Sequence, residues 1–112
     1  MLSDELRYKI LHLLQQQPQL SQRALARELG LSLGKVNYCV QALIEKGLLK
    51  ARNFRNSQNK TAYMYYLTPK GAKEKARVTL RFFRKKISEF EQLKAEIEVL
   101  RRDADRERAR QR

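Results

Sequence analysis

A chain of 112 residues has room for one small domain and an appendage, and 25 lysines and arginines against 12 acids give it a net charge of +13. That excess goes well beyond what solubility requires and points to an anionic partner, nucleic acid before a membrane surface. One cysteine, Cys39, and one histidine, His12, exclude an intrachain disulfide and a zinc site built within one chain, and they fit a reducing, cytoplasmic compartment.

The N-terminus, MLSDELRYKI, has no signal-peptide pattern, and the apolar runs along the chain are too short to span a membrane. Ser3 is placed to cap a helix whose first turn carries Asp4 and Glu5, both favourable beside free backbone N–H groups. Leu6, Ile10, Leu13 and Leu14 give that helix an apolar stripe; His12 lies off it, on the side expected to be exposed. Pro18 ends the element. Ser21 caps a shorter helix, SQRALARELG, with Leu25 and Leu29 facing inward and Gly30 as its left-handed stop.

Only GLS separates this helix from the next, the spacing of a helix-turn-helix. The third helix covers residues 32–46, with Ser32 as its N-cap and Gly47 as its terminator. At about 100° per residue, Val36, Val40 and Leu43 fall on one packing arc, flanked by Ile44, with Cys39 at its edge. Gly34, Tyr38, Gln41 and Glu45 fall on the opposite face, with Lys35 and Asn37 on either side of it.

LLKARNF and TAYMYYLT then read as two strands, joined by the polar turn RNSQNK, so a hairpin with a basic tip is expected. Alternation puts Tyr63 and Tyr65 inward with Leu67 and leaves Tyr66 across the sheet. Thr68 followed by Pro69 is an N-cap with proline at the first helical position. Beyond it the chain is mostly Ala, Glu, Lys, Arg, Leu and Ile, which predicts one helix of about 35 to 40 residues, ~55 Å long at 1.5 Å per residue. Its apolar positions are Ala76, Leu80, Phe83, Ile87, Phe90, Leu93, Ile97, Leu100 and Ala104, a heptad pattern with one shortened step between Phe90 and Leu93. The end, RRDADRERARQR, has no apolar anchors and is expected to fray.

Three helices, a hairpin and a long helix predict a mainly α fold. Residues 1–68 form an α+β winged helix-turn-helix and residues 69–112 a C-terminal coiled-coil helix that dimerises the chain. Leu80, Phe83, Ile87, Phe90, Leu93, Ile97 and Leu100 are its expected interface, with strand direction left open. LSLGKVNYCVQALIEKGLLKAR, the polar hairpin tip and YLTPKGAKEKA resemble the MarR-type winged-helix transcriptional regulators, over residues 3 to about 100. More narrowly, the chain is similar to the MarR-family group associated with exopolysaccharide gene clusters. The resemblance implies a dimeric DNA-binding regulator.

Two departures bear on what carries over. Larger members have an additional N-terminal helix in the dimer interface, where ligands often bind, whereas here the first winged-helix element starts at residue 3. That puts an effector pocket of the usual kind in doubt, and no small-molecule effector is evident from the sequence. The family's wing also carries an Asp-Arg pair, and RNSQNK has no acid to brace Arg55.

The polar face of the third helix suits base reading. Asn37 and Gln41 can pair bidentately with adenine, Lys35 can reach guanine or a phosphate, and Tyr38 can meet a thymine methyl or a backbone oxygen. Gly34 allows close approach to the backbone, and Ser32 stands at the same helix end. Ser21, Gln22 and Arg23 open the preceding helix, whose N-terminal amides can receive a phosphate. Arg52, Arg55, Asn56 and Lys60 set the hairpin on the backbone or in the minor groove.

Residues 1–68 carry ten basic and four acidic side chains, residues 70–86 eight against one, and residues 87–112 seven against seven, so the start of the long helix is as basic as the head. No Ser-His-Asp set, phosphate-cradling glycine loop or metal-ligand cluster occurs, so the chain is not expected to be an enzyme or to hold a cofactor or metal. The expected partners are double-stranded DNA and a second copy of the chain. An RNA-binding protein and a winged-helix protein-interaction module are the competing classes.

Overall fold

The computed structural model describes residues 2–55 and 61–112, and its element order is that of the sequence reading. Helices α1 (Asp4–Gln16), α2 (Gln22–Leu29) and α3 (Leu33–Glu45) precede strands β1 (Leu49–Arg55) and β2 (Thr61–Leu67), and α4 (Pro69–Arg110) closes the chain. The fold is mainly α, an α+β winged helix-turn-helix with a long C-terminal helix.

Each of the first three helices starts at a serine whose hydroxyl accepts a backbone N–H one turn on: Ser3 from Leu6 at 3.1 Å, Ser21 from Ala24 at 3.0 Å, Ser32 from Lys35 at 3.1 Å. The left-handed stop of α2 is Gly30, at φ 66°, and Gly47 follows α3 at φ 75°. Ile10, Leu11 and Leu14 of α1, Leu25 of α2, and Val36, Cys39, Val40 and Leu43 of α3 are fully buried in one core, which Leu48, Leu49 and Tyr65 complete. Truncating one of these leucines to alanine is expected to cost about 2–5 kcal/mol. Cys39, at the edge of the packing arc by angle, is a small core residue, as its place beside Val36 and Val40 leads one to expect. His12 is half-buried rather than exposed: its ring stacks on Tyr8 at 5.3 Å between centroids, and its Nδ1 is shut off from solvent.

The two strands pair antiparallel with Leu49 opposite Leu67, Ala51 opposite Tyr65 and Asn53 opposite Tyr63. That register carries the inner face of the hairpin out of the core. Tyr65 is buried at 6% exposure, but Tyr63, two residues further out, is 55% exposed, so the expectation that both point into the core holds only for Tyr65.

The root of α4 is fastened to the corner between α3 and β1. Thr68 donates its hydroxyl to the Gly47 carbonyl and accepts the Gly71 N–H at 2.9 Å, while its own N–H reaches the Leu48 carbonyl at 3.1 Å. Gly71 is buried against Leu48 so closely that a Cβ there would lie 2.0 Å from the Leu48 carbonyl oxygen. Arg7 of α1 reaches Glu74 of α4 at 3.0 Å, and Val78 is fully buried.

The chain divides into two compact units, Met1–Leu80 and Arg81–Arg112. The second unit is helical to Arg110, where the sequence led us to expect fraying. Three arginines there each pair with an acid one turn earlier, Arg106 with Asp103 at 3.3 Å, Arg108 with Asp105 at 3.2 Å and Arg110 with Glu107 at 3.1 Å. Acid before base is the order that also suits the helix dipole. No helix among the described residues is long and apolar enough to cross a membrane.

Candidate nucleic-acid interface

The buried arc of α3 fixes which of its residues face outward. With Val36, Cys39, Val40 and Leu43 in the core, Gly34, Lys35, Asn37, Tyr38, Gln41 and Glu45 are all exposed. The Lys35 ammonium lies 5.7 Å from the centroid of the Tyr38 ring, close enough for a cation–π contact that holds the two side by side. Ser32 spends its oxygen on the helix cap, which leaves its O–H free to donate outward.

Ser21 and Arg23 at the start of α2 are exposed, and Ser21 caps in the same way. Gln22 is placed differently. Its side-chain amide donates to the Tyr65 hydroxyl at 3.0 Å, which ties α2 to the hairpin. Tyr65 also sends its backbone N–H to the Pro18 carbonyl at 3.0 Å.

A concavity of about 690 Å³ opens between these elements. Gln19, Ser21 and Gln22 line one side with Asn37 and Gln41 of α3; Ile44, Ala51, Tyr63 and Tyr65 line the other. The sequence reading had picked out Ser21, Gln22, Asn37 and Gln41 but not Gln19, Ile44, Ala51 or Tyr63. The signal for Tyr63 lay in the strand register, which cannot be read from alternation alone.

On the opposite face of the hairpin, Arg52 is exposed, with its guanidinium 5.8 Å from the centroid of the Tyr66 ring. Arg55 is described only through its strand pairing with Thr61, and Asn56 and Lys60 lie outside the described residues. Burial pushes the Cys39 thiol pKa up, and the charge of Lys35 offsets this only in part, so the sulfur stays a protonated core atom.

Along α4, Leu80, Phe83, Ile87, Phe90, Leu93, Ile97 and Leu100 are between 44% and 64% exposed. A row of large apolar side chains left in water at heptad spacing is what an unpartnered coiled-coil seam presents. Among the described residues, no group of three or more His, Cys, Asp or Glu is arranged to hold a metal ion.

Residues 3–50 match a family of winged helix-turn-helix DNA-binding domains. The chain is similar to the PcaV transcriptional regulator of Streptomyces coelicolor, solved with its natural ligand, at 25% identity and a TM-score of 0.63 over 88% of this chain and 72% of that one. It shares its fold with a Lactococcus lactis ZitR mutant in complex with DNA, at 22% identity and a TM-score of 0.61 over 83% of this chain and 60% of that one. The same fold occurs in a MarR-family transcriptional regulator from Rhodococcus sp. RHA1, at 22% identity and a TM-score of 0.53 over 67% of this chain and 51% of that one. No curated protein sequence matches the chain significantly. The match to winged helix-turn-helix DNA-binding domains thus lies in residues 3–50, and the PcaV and Rhodococcus proteins, which share the fold, are transcriptional regulators.

Proposed function

We propose that the protein is a sequence-specific transcriptional regulator that binds duplex DNA as a homodimer in the cytoplasm. The observation that carries this reading is the outer face of α3. Gly34, Lys35, Asn37, Tyr38 and Gln41 are exposed there, opposite a fully buried Val36, Val40 and Leu43, inside a winged helix-turn-helix match. An α-helix fits the major groove, and its N-terminal half carries the side chains that reach base edges. Asn37 and Gln41 read bases, Lys35 and Tyr38 serve a base or the backbone, and Ser21, Arg23 and Ser32 hold phosphates. Gln22 supports the site through Tyr65. The hairpin, with Arg52, Arg55, Asn56 and Lys60, lies on the backbone or in the minor groove.

The helix from residue 69 onward dimerises two copies through Leu80, Phe83, Ile87, Phe90, Leu93, Ile97 and Leu100, which sets two heads about one turn of DNA apart. The basic root, residues 70–86, adds charge beside the duplex. The resemblance to the exopolysaccharide-associated MarR-type group makes exopolysaccharide gene clusters the first targets to examine.

Selection of bound duplexes from random DNA by the full chain tests this. A recovered site with two related half-sites, bound in preference to random duplex at raised salt, is the expected result. Equal affinity for random duplex, double-stranded RNA and the selected pool would reject it.

A further inference from the structure

Although the protein is strongly basic, no charged side chain among the described residues lines the concavity between α3 and the hairpin. We infer that it is an uncharged seat for one phosphate of a DNA strand, with the Tyr63 hydroxyl as a donor to that phosphate. The inference rests on the reading of the protein as a DNA-binding regulator. If α3 occupies a major groove and the hairpin the neighbouring backbone or minor groove, one sugar–phosphate strand runs between them, across this hollow.

The lining suits such a strand. Ile44 and Ala51 offer apolar contact to a deoxyribose, and Ser21 keeps its O–H free because its oxygen serves the α2 cap as an acceptor. Tyr63 is the part of the wall built to reach out. Its ring lies on Tyr65 at 6.5 Å between centroids and 24° between planes. Tyr65 is buried and held at both ends, by Gln22 through its hydroxyl and by Pro18 through its backbone N–H. An exposed phenol standing on an anchored one loses little freedom when it binds, which is how a fixed donor raises affinity. Among the described residues, Arg23 of α2, Lys35 of α3 and Arg52 across the sheet are not part of its lining.

A neutral donor leaves a particular signature. Cationic contacts displace counterions and steepen the dependence of affinity on salt, whereas a hydroxyl displaces none. Tyr63→Phe keeps the ring and its stacking on Tyr65 and removes only the donor, and its melting curve should match that of the wild type. Fluorescence anisotropy with the full chain reads affinity for a selected duplex and for a mixed-sequence duplex over a series of salt concentrations. Tyr63→Phe should weaken both about tenfold, since a hydrogen bond to a charged group is lost, and the plots of log affinity against log salt should stay parallel to those of the wild type. Unchanged affinity, a changed slope, or a loss confined to the selected sequence would overturn the seat while leaving the regulator reading intact. A wild-type chain that fails to bind duplex DNA overturns the regulator reading and the seat with it.

Discussion

Gly71 allows a test in which two physical effects have opposite signs. It sits in the first turn of α4, where replacing glycine by alanine would normally stabilise a helix by about 1 kcal/mol. Here an added Cβ would lie 2.0 Å from the Leu48 carbonyl oxygen and 2.9 Å from its carbon, both backbone atoms. Relief requires the helix and the α3–β1 corner to part by about 1 Å. That movement strains the Gly71-to-Thr68 and Thr68-to-Leu48 hydrogen bonds, 2.9 and 3.1 Å long, and unseats the Thr68 hydroxyl from Gly47. Overpacking costs about 1–3 kcal/mol and each weakened hydrogen bond about 1 kcal/mol, so a net loss of about 3 kcal/mol is expected for Gly71→Ala. For a folded unit of this size that is a fall in Tm of roughly 12–24 °C. Thermal unfolding followed by circular dichroism measures it. Because the corner joins α3 to the hairpin, DNA affinity should fall in the same variant below its unfolding range. A Tm equal to or above that of the wild type would mean that helix propensity wins and that the close approach at Leu48 is not a constraint.

Three further outcomes follow from the same geometry. Asn37→Ala should weaken the selected DNA site by about 10- to 100-fold, the loss of one bidentate base contact, while random duplex binds almost as before; equal losses on both would remove Asn37 from base reading. Replacing Ile87 and Phe90 together by serine leaves the first compact unit untouched and should give a monomer by light scattering; an unchanged mass would reject the α4 seam as the interface. Cys39 should react slowly with a thiol reagent in the native protein and at once in denaturant, since burial holds it protonated and covered; fast native labelling would contradict its place in the core.

The elements legible in the sequence are those set by local chemistry. Ser3, Ser21 and Ser32 announced three helix starts, Gly30 and Gly47 two helix ends, and the period of Val36, Val40 and Leu43 divided α3 into a buried arc and an outer face. Long-range pairing was not legible. Tyr63 alternates with Tyr65 as a core residue would, yet the strand outruns the core before reaching it, and only the pairing with Asn53 reveals this. Gln22 reads as a free polar residue until Tyr65 is brought beside it from 43 positions away. His12 falls off an idealised stripe, and its burial depends on Tyr8, one turn earlier, lying flat against it. The charged tail reads as unanchored because helix prediction by apolar spacing gives no weight to pairs such as Asp105 and Arg108.

The distribution of charge divides the work of binding. Residues 70–86 hold eight of the 25 basic side chains, so much of the positive field lies outside the helix-turn-helix that would select a sequence. A field of that kind raises encounter rates and general affinity for any duplex, and salt weakens it steeply. The outer face of α3 carries one cation in its first half, Lys35, among Asn37, Tyr38 and Gln41, and one acid, Glu45, at its far end. Polar, uncharged groups at the reading face lose their water on any duplex but regain hydrogen bonds only on the matching one, and a mismatched base leaves them unpaired. On the proposed docking Glu45 would act as a limit. About 16 Å along the helix from Gly34, its carboxylate would repel the backbone and keep that end of α3 out of the groove. On the proposed reading, the charged helix root would supply the attraction, and the uncharged face together with the Tyr63 hollow would set the register. Salt should therefore separate the two contributions: as it rises, binding weakens, but the ratio of specific to random affinity should hold.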